Sequence, residues 1–312
     1  MRIGIDVGGT KIEGIALGPA GETRVRRRIA APRGDYHATI QAIAELVTAI
    51  EAETAGRGSV GIGIPGTISA ATGLVKNSNS TWLNGRPLGQ DVTARLARPV
   101  RFANDANCFA LSETTDGAAQ GARSVFGVIV GTGTGGGVVI DGKVLVGANA
   151  IAGEWGHNPL PWPRAGEWPG PPCYCGRAGC IEQFLSGPAL SRDFSKGTAG
   201  WSDAPPVDAA EIVTRAATGD LHAELCLDRY EDRFARALAS VINLLDPAVI
   251  VLGGGLSNIE RLYTTIPARW AAYIFSDVVA TRLVRATHGD SSGVRGAAWL
   301  WNEAGDDPHC RA

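Results

Sequence analysis

The sequence predicts an α/β chain built as two related halves facing across a cleft, and three observations carry that prediction. Two glycine-rich turns, at residues 6–11 and 131–137, each follow a short apolar strand. After each turn, strands and helices follow in the same order. At 312 residues the chain has length for about two domains, each burying its own core.

Taken in order, residues 2–6 alternate as a strand, 7–11 turn, and 12–17 and 23–31 read as second and third strands. A dinucleotide fingerprint or a Walker loop needs a helix directly after its glycines. Here a strand follows, which leaves a tight hairpin whose N–H groups face an anion. Residues 36–53 carry helical spacing, with Ile40, Ile43, Leu46, Val47 and Ile50 on one face. A strand at 60–64 ends in Pro65-Gly66, and a loop runs through 77–85. A short helix at 91–96, a strand at 100–103 and a helix at 106–115 complete the first half. This is the ribonuclease H-like order. The second half repeats it with a strand at 124–130, a glycine turn over 131–137, strands at 138–140 and 143–146, helical segments and a strand at 248–252. The expected domains are 1–117 and 118–291, with a metal loop at 153–182 in the second and a helix over 292–305 rejoining the first.

Composition narrows the function. The 42 glycines cluster after apolar runs and so mark turns, and the net charge of −2 makes no electrostatic case for nucleic acid or an anionic membrane. Arg24, Arg26, Arg27 and Arg28 read as a solvated edge strand, with an anion site as the alternative. Met1-Arg2 leads straight into a strand, so no N-terminal signal is expected. The longest apolar region, 238–252, is interrupted by Asp246-Pro247 and is too short to span a bilayer. A cytoplasmic protein is predicted. Three of the six cysteines fall within eight residues, which suggests a metal site in a reducing compartment. Cys108, Cys226 and Cys310 read as core or tail residues.

Four constellations carry chemistry. Gly8, Gly9, Thr10 and Lys11 in the first turn, and Gly131, Thr132, Gly133, Thr134, Gly135 and Gly136 in the second, occupy equivalent points of two repeats and suit phosphate oxygens. Asp6 either caps the first turn or orients Mg²⁺ through water. Gly254 and Gly255 would let a nucleoside lie on bare backbone. Cys173, Cys175 and Cys180 supply three corners of a tetrahedral Zn²⁺ site, with His157 the nearest upstream fourth ligand; four protein ligands make such a site structural. One ring nitrogen of His157 would then remain for a ligand. Glu154 and Glu182 flank the metal loop, and their carboxylates suit sugar hydroxyls. Asp105 sits where a strand gives way to a helix, as a cap or as a base.

Asp6-Val7-Gly8-Gly9-Thr10-Lys11, Asn104-Asp105-Ala106-Asn107, Gly153-Glu154-Trp155-Gly156-His157 and the Cys-x-Cys-Gly-x-x-Gly-Cys-x-Glu run from Cys173 to Glu182 together resemble the ROK family (repressors, open reading frames and kinases). The resemblance covers residues 3–301. It implies two actin-like ATPase domains, Mg²⁺ and ATP, transfer of the γ-phosphoryl group to a hexose, and a homodimer. It also implies Asp105 as catalytic base, sugar contacts at Asn104, Asp105, Glu154, His157 and Glu182, and zinc ligands at His157, Cys173, Cys175 and Cys180. The loop at 75–88, the run His288-Gly289-Asp290-Ser291-Ser292-Gly293 and the Trp299-Leu300-Trp301 ending resemble the family's fructokinases more than its N-acetylglucosamine kinases. They imply phosphorylation of fructose and mannose at the 6-hydroxyl, with Asn79 on the sugar and Trp82 packed behind the loop or against the sugar. Glucose and N-acetylglucosamine are the alternatives within the family. A sugar-responsive repressor carries its DNA-binding segment ahead of the first turn; five residues precede Asp6 here, which leaves no room for one.

Overall fold

In the computed structural model, which describes residues 1–197, 207–289 and 292–301, the hairpin expected at the N-terminus forms. β1 (Arg2–Val7) turns Ile3, Ile5 and Val7 into the core and pairs antiparallel with β2 (Lys11–Leu17), itself antiparallel to β3 (Thr23–Ala30). α1 (Tyr36–Thr54) starts where the Asp35 carboxylate accepts from Ala38 N–H at 2.9 Å, an N-cap, and buries the predicted apolar face. β4 (Ser59–Ile64) runs parallel to β1. β5 (Thr67–Ile68) and β6 (Val75–Lys76) form a small antiparallel ribbon. After α2 (Leu88–Leu96), β7 (Val100–Asn104) lies parallel to β4 and passes directly into α3 (Asp105–Thr115). The sheet order is β3-β2-β1-β4-β7.

β8 (Ser124–Val130), β9 (Thr134–Ile140) and β10 (Lys143–Val144) open the second half. α4 (Glu182–Leu185), α5 (Gly187–Gly197), α6 (Ala209–Ala217) and α7 (Leu221–Leu245) follow. Then come β11 (Val249–Gly253), α8 (Leu262–Trp270), β12 (Arg282–Arg285) and α9 (Ser292–Trp299). The order β10-β9-β8-β11-β12 repeats that of the first sheet, third strand to fifth. The duplication of a ribonuclease H-like half is therefore real.

Two compact units result. One comprises Met1–Arg123, Gly137–Gly153 and the described residues of Thr287–Ala312; the other comprises Ser124–Gly136 and Glu154–Ala286. α9 belongs to the first unit because glycines admit it: a Cβ on Gly4 would stand 2.0 Å from Val294 O, and one on Gly61 would stand 1.9 Å from Ala297 O. The C-terminal end of α3 fastens the returning chain. Buried Glu113 accepts from Thr287 N–H (2.9 Å), His288 N–H (3.1 Å), Ser292 Oγ–H (2.6 Å) and Ala118 N–H (2.9 Å). Asp116 accepts from the His288 ring, the Arg295 guanidinium and Trp299 Nε1–H.

Two expectations change. The second glycine turn is shorter than 131–137, because β9 begins at Thr134; Gly135, Gly136 and Gly137 are strand residues. Gly137 serves close packing, since its Cβ would stand 2.4 Å from Ala106 O. The helix expected at 292–305 is observed over Ser292–Trp299; residues 302–305, like Asp290, Ser291 and Cys310, lie outside the described residues. β12 and the β5–β6 ribbon carried too short a pattern to be predicted. The arginines of β3 are paired, as an edge strand would have them: Arg26 and Arg28 with Glu13, Arg27 with Glu53, Arg24 with Glu22. Among the described residues no helix is long and apolar enough to cross a membrane.

Candidate active site

In the first unit, Asn104 and Asp105 sit at the β7–α3 junction. The Asn104 side chain caps α3 by accepting from Ala106 N–H at 2.9 Å, and its amide donates to Gly66 O at 3.0 Å. Asp105 is the first helical residue, with Oδ1 2.8 Å from Ala106 N–H. Side chain and backbone thus fix the carboxylate in a helix's first turn, where free N–H groups favour negative charge. Asp6, next to the last residue of β1, lies nearby. Its own burial, then the charges of Asp105 and Glu13, push its carboxyl up to about 7. Cβ positions built on Gly63 and Gly293 lie 3.5 and 3.6 Å from that carboxylate, so both glycines leave room beside it. Desolvated, crowded by like charge and flanked by space, this group suits a divalent cation.

The first turn closes with Gly8 N–H on Lys11 O at 2.9 Å, and Arg33 donates to Gly9 O. The loop bearing Asn79 comes to the same turn, with Ser80 Oγ 3.4 Å from where a Gly9 Cβ would be. Asn79 is exposed and available to a ligand. Trp82 is not: its Nε1–H donates to Thr39 Oγ1 at 3.2 Å and it packs on the core, so it backs the loop.

In the second unit, Gly133 and Thr134 gather around Glu182. The Glu182 carboxylate accepts from Thr134 N–H at 3.0 Å, and a Cβ on Gly133 would stand 2.8 Å from it. Gly254 (φ 82°) is required structurally, because its Cβ would stand 2.3 Å from Val130 O; Gly255 is the one that offers open backbone. The Asn79 loop beside the first turn and the start of β9 after the second each carry a buried hydroxyl with no hydrogen-bond partner, Ser80 Oγ and Thr134 Oγ1. Such orphans are costly unless a ligand satisfies them, and phosphate oxygens would.

His157, Cys173, Cys175 and Cys180 come together, their ligand atoms all within 4.8 Å of one another. A tetrahedral zinc site with Zn–S of about 2.3 Å and Zn–N of about 2.05 Å has edges of about 3.6 Å (S···N) and about 3.8 Å (S···S). The structure gives 3.5 Å from Cys173 Sγ to His157 Nδ1 and 3.6 Å from Cys175 Sγ to Cys180 Sγ. The cluster fits the metal, with Nδ1 as the ligand atom of His157. Backbone bonds Leu160 N–H to Gly179 O (2.9 Å) and Ile181 N–H to Asn158 O (2.8 Å) bring the His157 segment to Cys180. Fully buried Arg236 anchors the loop to α7, donating to Pro161 O, Trp162 O and Glu167. Glu154 lies exposed just ahead of the turn that holds His157.

The chain matches known proteins over nearly its whole length. The ROK family's sequence profile matches residues 2–304. The chain belongs to the ROK family. Relatives of this ROK chain include the N-acetyl-D-glucosamine kinase of Photobacterium profundum, 43% identical over 304 residues (96% of this chain, 99% of the relative). The N-acetyl-D-glucosamine kinase of Vibrio cholerae is 40% identical over the same length and shares. Among solved structures, the ROK hexokinase from Thermus thermophilus superposes with a TM-score of 0.83 at 33% identity, covering 95% of this chain and 96% of that one. A ROK family glucokinase from Streptomyces griseus, in complex with glucose and AMPPNP, gives a TM-score of 0.75 at 28% identity, over 96% and 98%. These relatives are sugar kinases of an actin-like ATPase fold. None of the four is a fructokinase, so they lend the fructose expectation no support.

The ROK site contains residues that sequence reasoning passed over. Asn84 clamps the Asn79 loop, accepting from Ser78 N–H (2.9 Å) and donating to Ser78 O (2.8 Å), a role its place in the 77–85 loop does not signal. Tyr174, the unassigned residue of the Cys-x-Cys run, brings its hydroxyl to His157 Nε2 at 2.9 Å.

Proposed function

We propose that this chain is an ATP-dependent hexose kinase that transfers the γ-phosphoryl group to the sugar 6-hydroxyl, with Asp105 as general base. The observation that carries this reading is the placement of Asp105, capped into the first turn of α3 in the same unit as the Gly8–Lys11 turn and Asp6. A fixed carboxylate accepts the hydroxyl proton as the in-line attack proceeds, and most of the rate comes from positioning and electrostatics. Asn79, Asn104, Glu154, His157 and Glu182 are assigned to the sugar hydroxyls. Gly8, Gly9, Thr10, Lys11, Gly131, Thr132, Gly133, Thr134, Gly135, Gly136, Gly254 and Gly255 are assigned to ATP; Gly135 and Gly136 would act from within a strand. Mg²⁺, when bound through water to Asp6, neutralises phosphate charge. Zn²⁺ on His157, Cys173, Cys175 and Cys180 orders the loop and has no open position for chemistry. A homodimer belongs to this reading through the family resemblance.

The names of the relatives favour N-acetylglucosamine as acceptor. Fructose, with mannose, is the second reading, supported by the resemblance of the 75–88 loop and of the C-terminal motifs to fructokinases. The test is kcat/KM for fructose, mannose, glucose and N-acetylglucosamine side by side with Mg·ATP. The expected result is a marked preference for one of them, lost with Asp105→Asn, whose kcat falls about 10²–10⁴-fold while its melting curve is retained. Wild-type turnover in that variant would overturn the base assignment.

A further inference from the structure

The imidazole of His157 has two nitrogens and, in a metal-loaded protein, one proton. Nδ1 faces the thiolates at 3.5 Å from Cys173 Sγ. An imidazole that gives one nitrogen to a metal keeps its ring proton on the other, so Nε2–H is the donor left for a sugar. That donor is engaged already: it reaches the Tyr174 hydroxyl oxygen at 2.9 Å, with the two rings edge-on at 5.1 Å and 90°. One N–H serves one acceptor well. A hexose hydroxyl and Tyr174 therefore compete for it.

Tyr174 is built to yield. Its residue surface is 81% exposed, so little packing holds the ring. The backbone around it is held, with Cys173 N–H on Arg177 O (2.7 Å) and Gly176 N–H on Cys173 O (3.0 Å), so the phenol leaves through side-chain torsions alone. We propose that Tyr174 stands in for a hexose hydroxyl on His157 and is displaced when the sugar binds, which makes it a determinant of sugar affinity. The proposal rests on His157 being a sugar contact, as the kinase reading has it.

Tyr174→Phe keeps the ring and removes only the oxygen. D-fructose and N-acetyl-D-glucosamine are titrated calorimetrically into nucleotide-free, zinc-loaded wild type and variant. Losing one exposed hydrogen bond that must be broken first should tighten binding of the preferred sugar about 3–10-fold. Zinc content of about one per chain and AMPPNP affinity should not change. Unchanged sugar affinity overturns the proposal. Weakened affinity overturns it too, by making Tyr174 a direct sugar contact. Wild-type protein that holds zinc and AMPPNP but neither sugar would instead bring down the hexose reading, and the proposal with it.

Discussion

Asp6 shows most directly how this fold sets the charge of one residue. Its carboxyl holds its proton up to about pH 7 because it is buried, and because Asp105 and Glu13 crowd it with negative charge. An unfolded aspartate releases its proton at about pH 3.9. Between those values the native state binds more protons than the unfolded chain, so this group's contribution to stability is full below about pH 3.9 and is lost as pH rises to about 7. The urea midpoint of metal-free protein should accordingly carry a downward component across that window that Asp6→Asn removes. Parallel pH profiles for the two proteins would sink this account of Asp6. The same residue shows the reach of sequence: its place before a glycine turn was legible, but its proton affinity depends on Asp105, about a hundred positions away in the chain.

Among the elements, the short turn Trp155–His157 deserves a mutation of its own. A Cβ on Gly156 would stand 2.0 Å from Thr134 O, so this turn reaches β9 only as glycine. Gly156→Ala should lift it from the strand and move His157 off the thiolates. The expected outcome is at least tenfold weaker zinc binding in competition with a chromogenic chelator, together with a lower melting temperature. Equal zinc affinity would show that the contact does not set the metal site. Elements whose signal is local were readable in advance. α1 announced itself by periodicity, the β7–α3 junction by its strand-to-helix change, and the metal loop by cysteine spacing. Elements defined by packing were not. Gly137 reads as a turn residue because a glycine admitted for close approach is the same letter as one admitted for a bend. Tyr174 was invisible because its partner is chosen by the folded loop.

For the molecule as a whole, Glu113 is the residue through which the chain's return is secured. Its acceptor oxygens take four donors, and those from the returning segment lie 174–179 positions downstream, a relation no local pattern encodes. Replacing it with Gln turns one acceptor into a donor facing N–H or O–H groups. A loss of about 2–3 kcal/mol in urea unfolding is expected, far more than a solvated glutamate would cost. Stability within about 0.5 kcal/mol of wild type would contradict the role.

α3 carries Asp105 at one end and Glu113 near the other. From Glu113 to Asp105 is eight residues at about 1.5 Å each, an arm about 12 Å long. A rod pinned near its tail is a lever: a tilt of about 5° there swings the tip by about 1 Å. That equals the misplacement of about 1 Å that can cost a catalyst on the order of a hundredfold in rate. Slack at the pinned end is thus carried to the tip, and Asp105, the proposed base, can fall out of alignment with no change among its own neighbours.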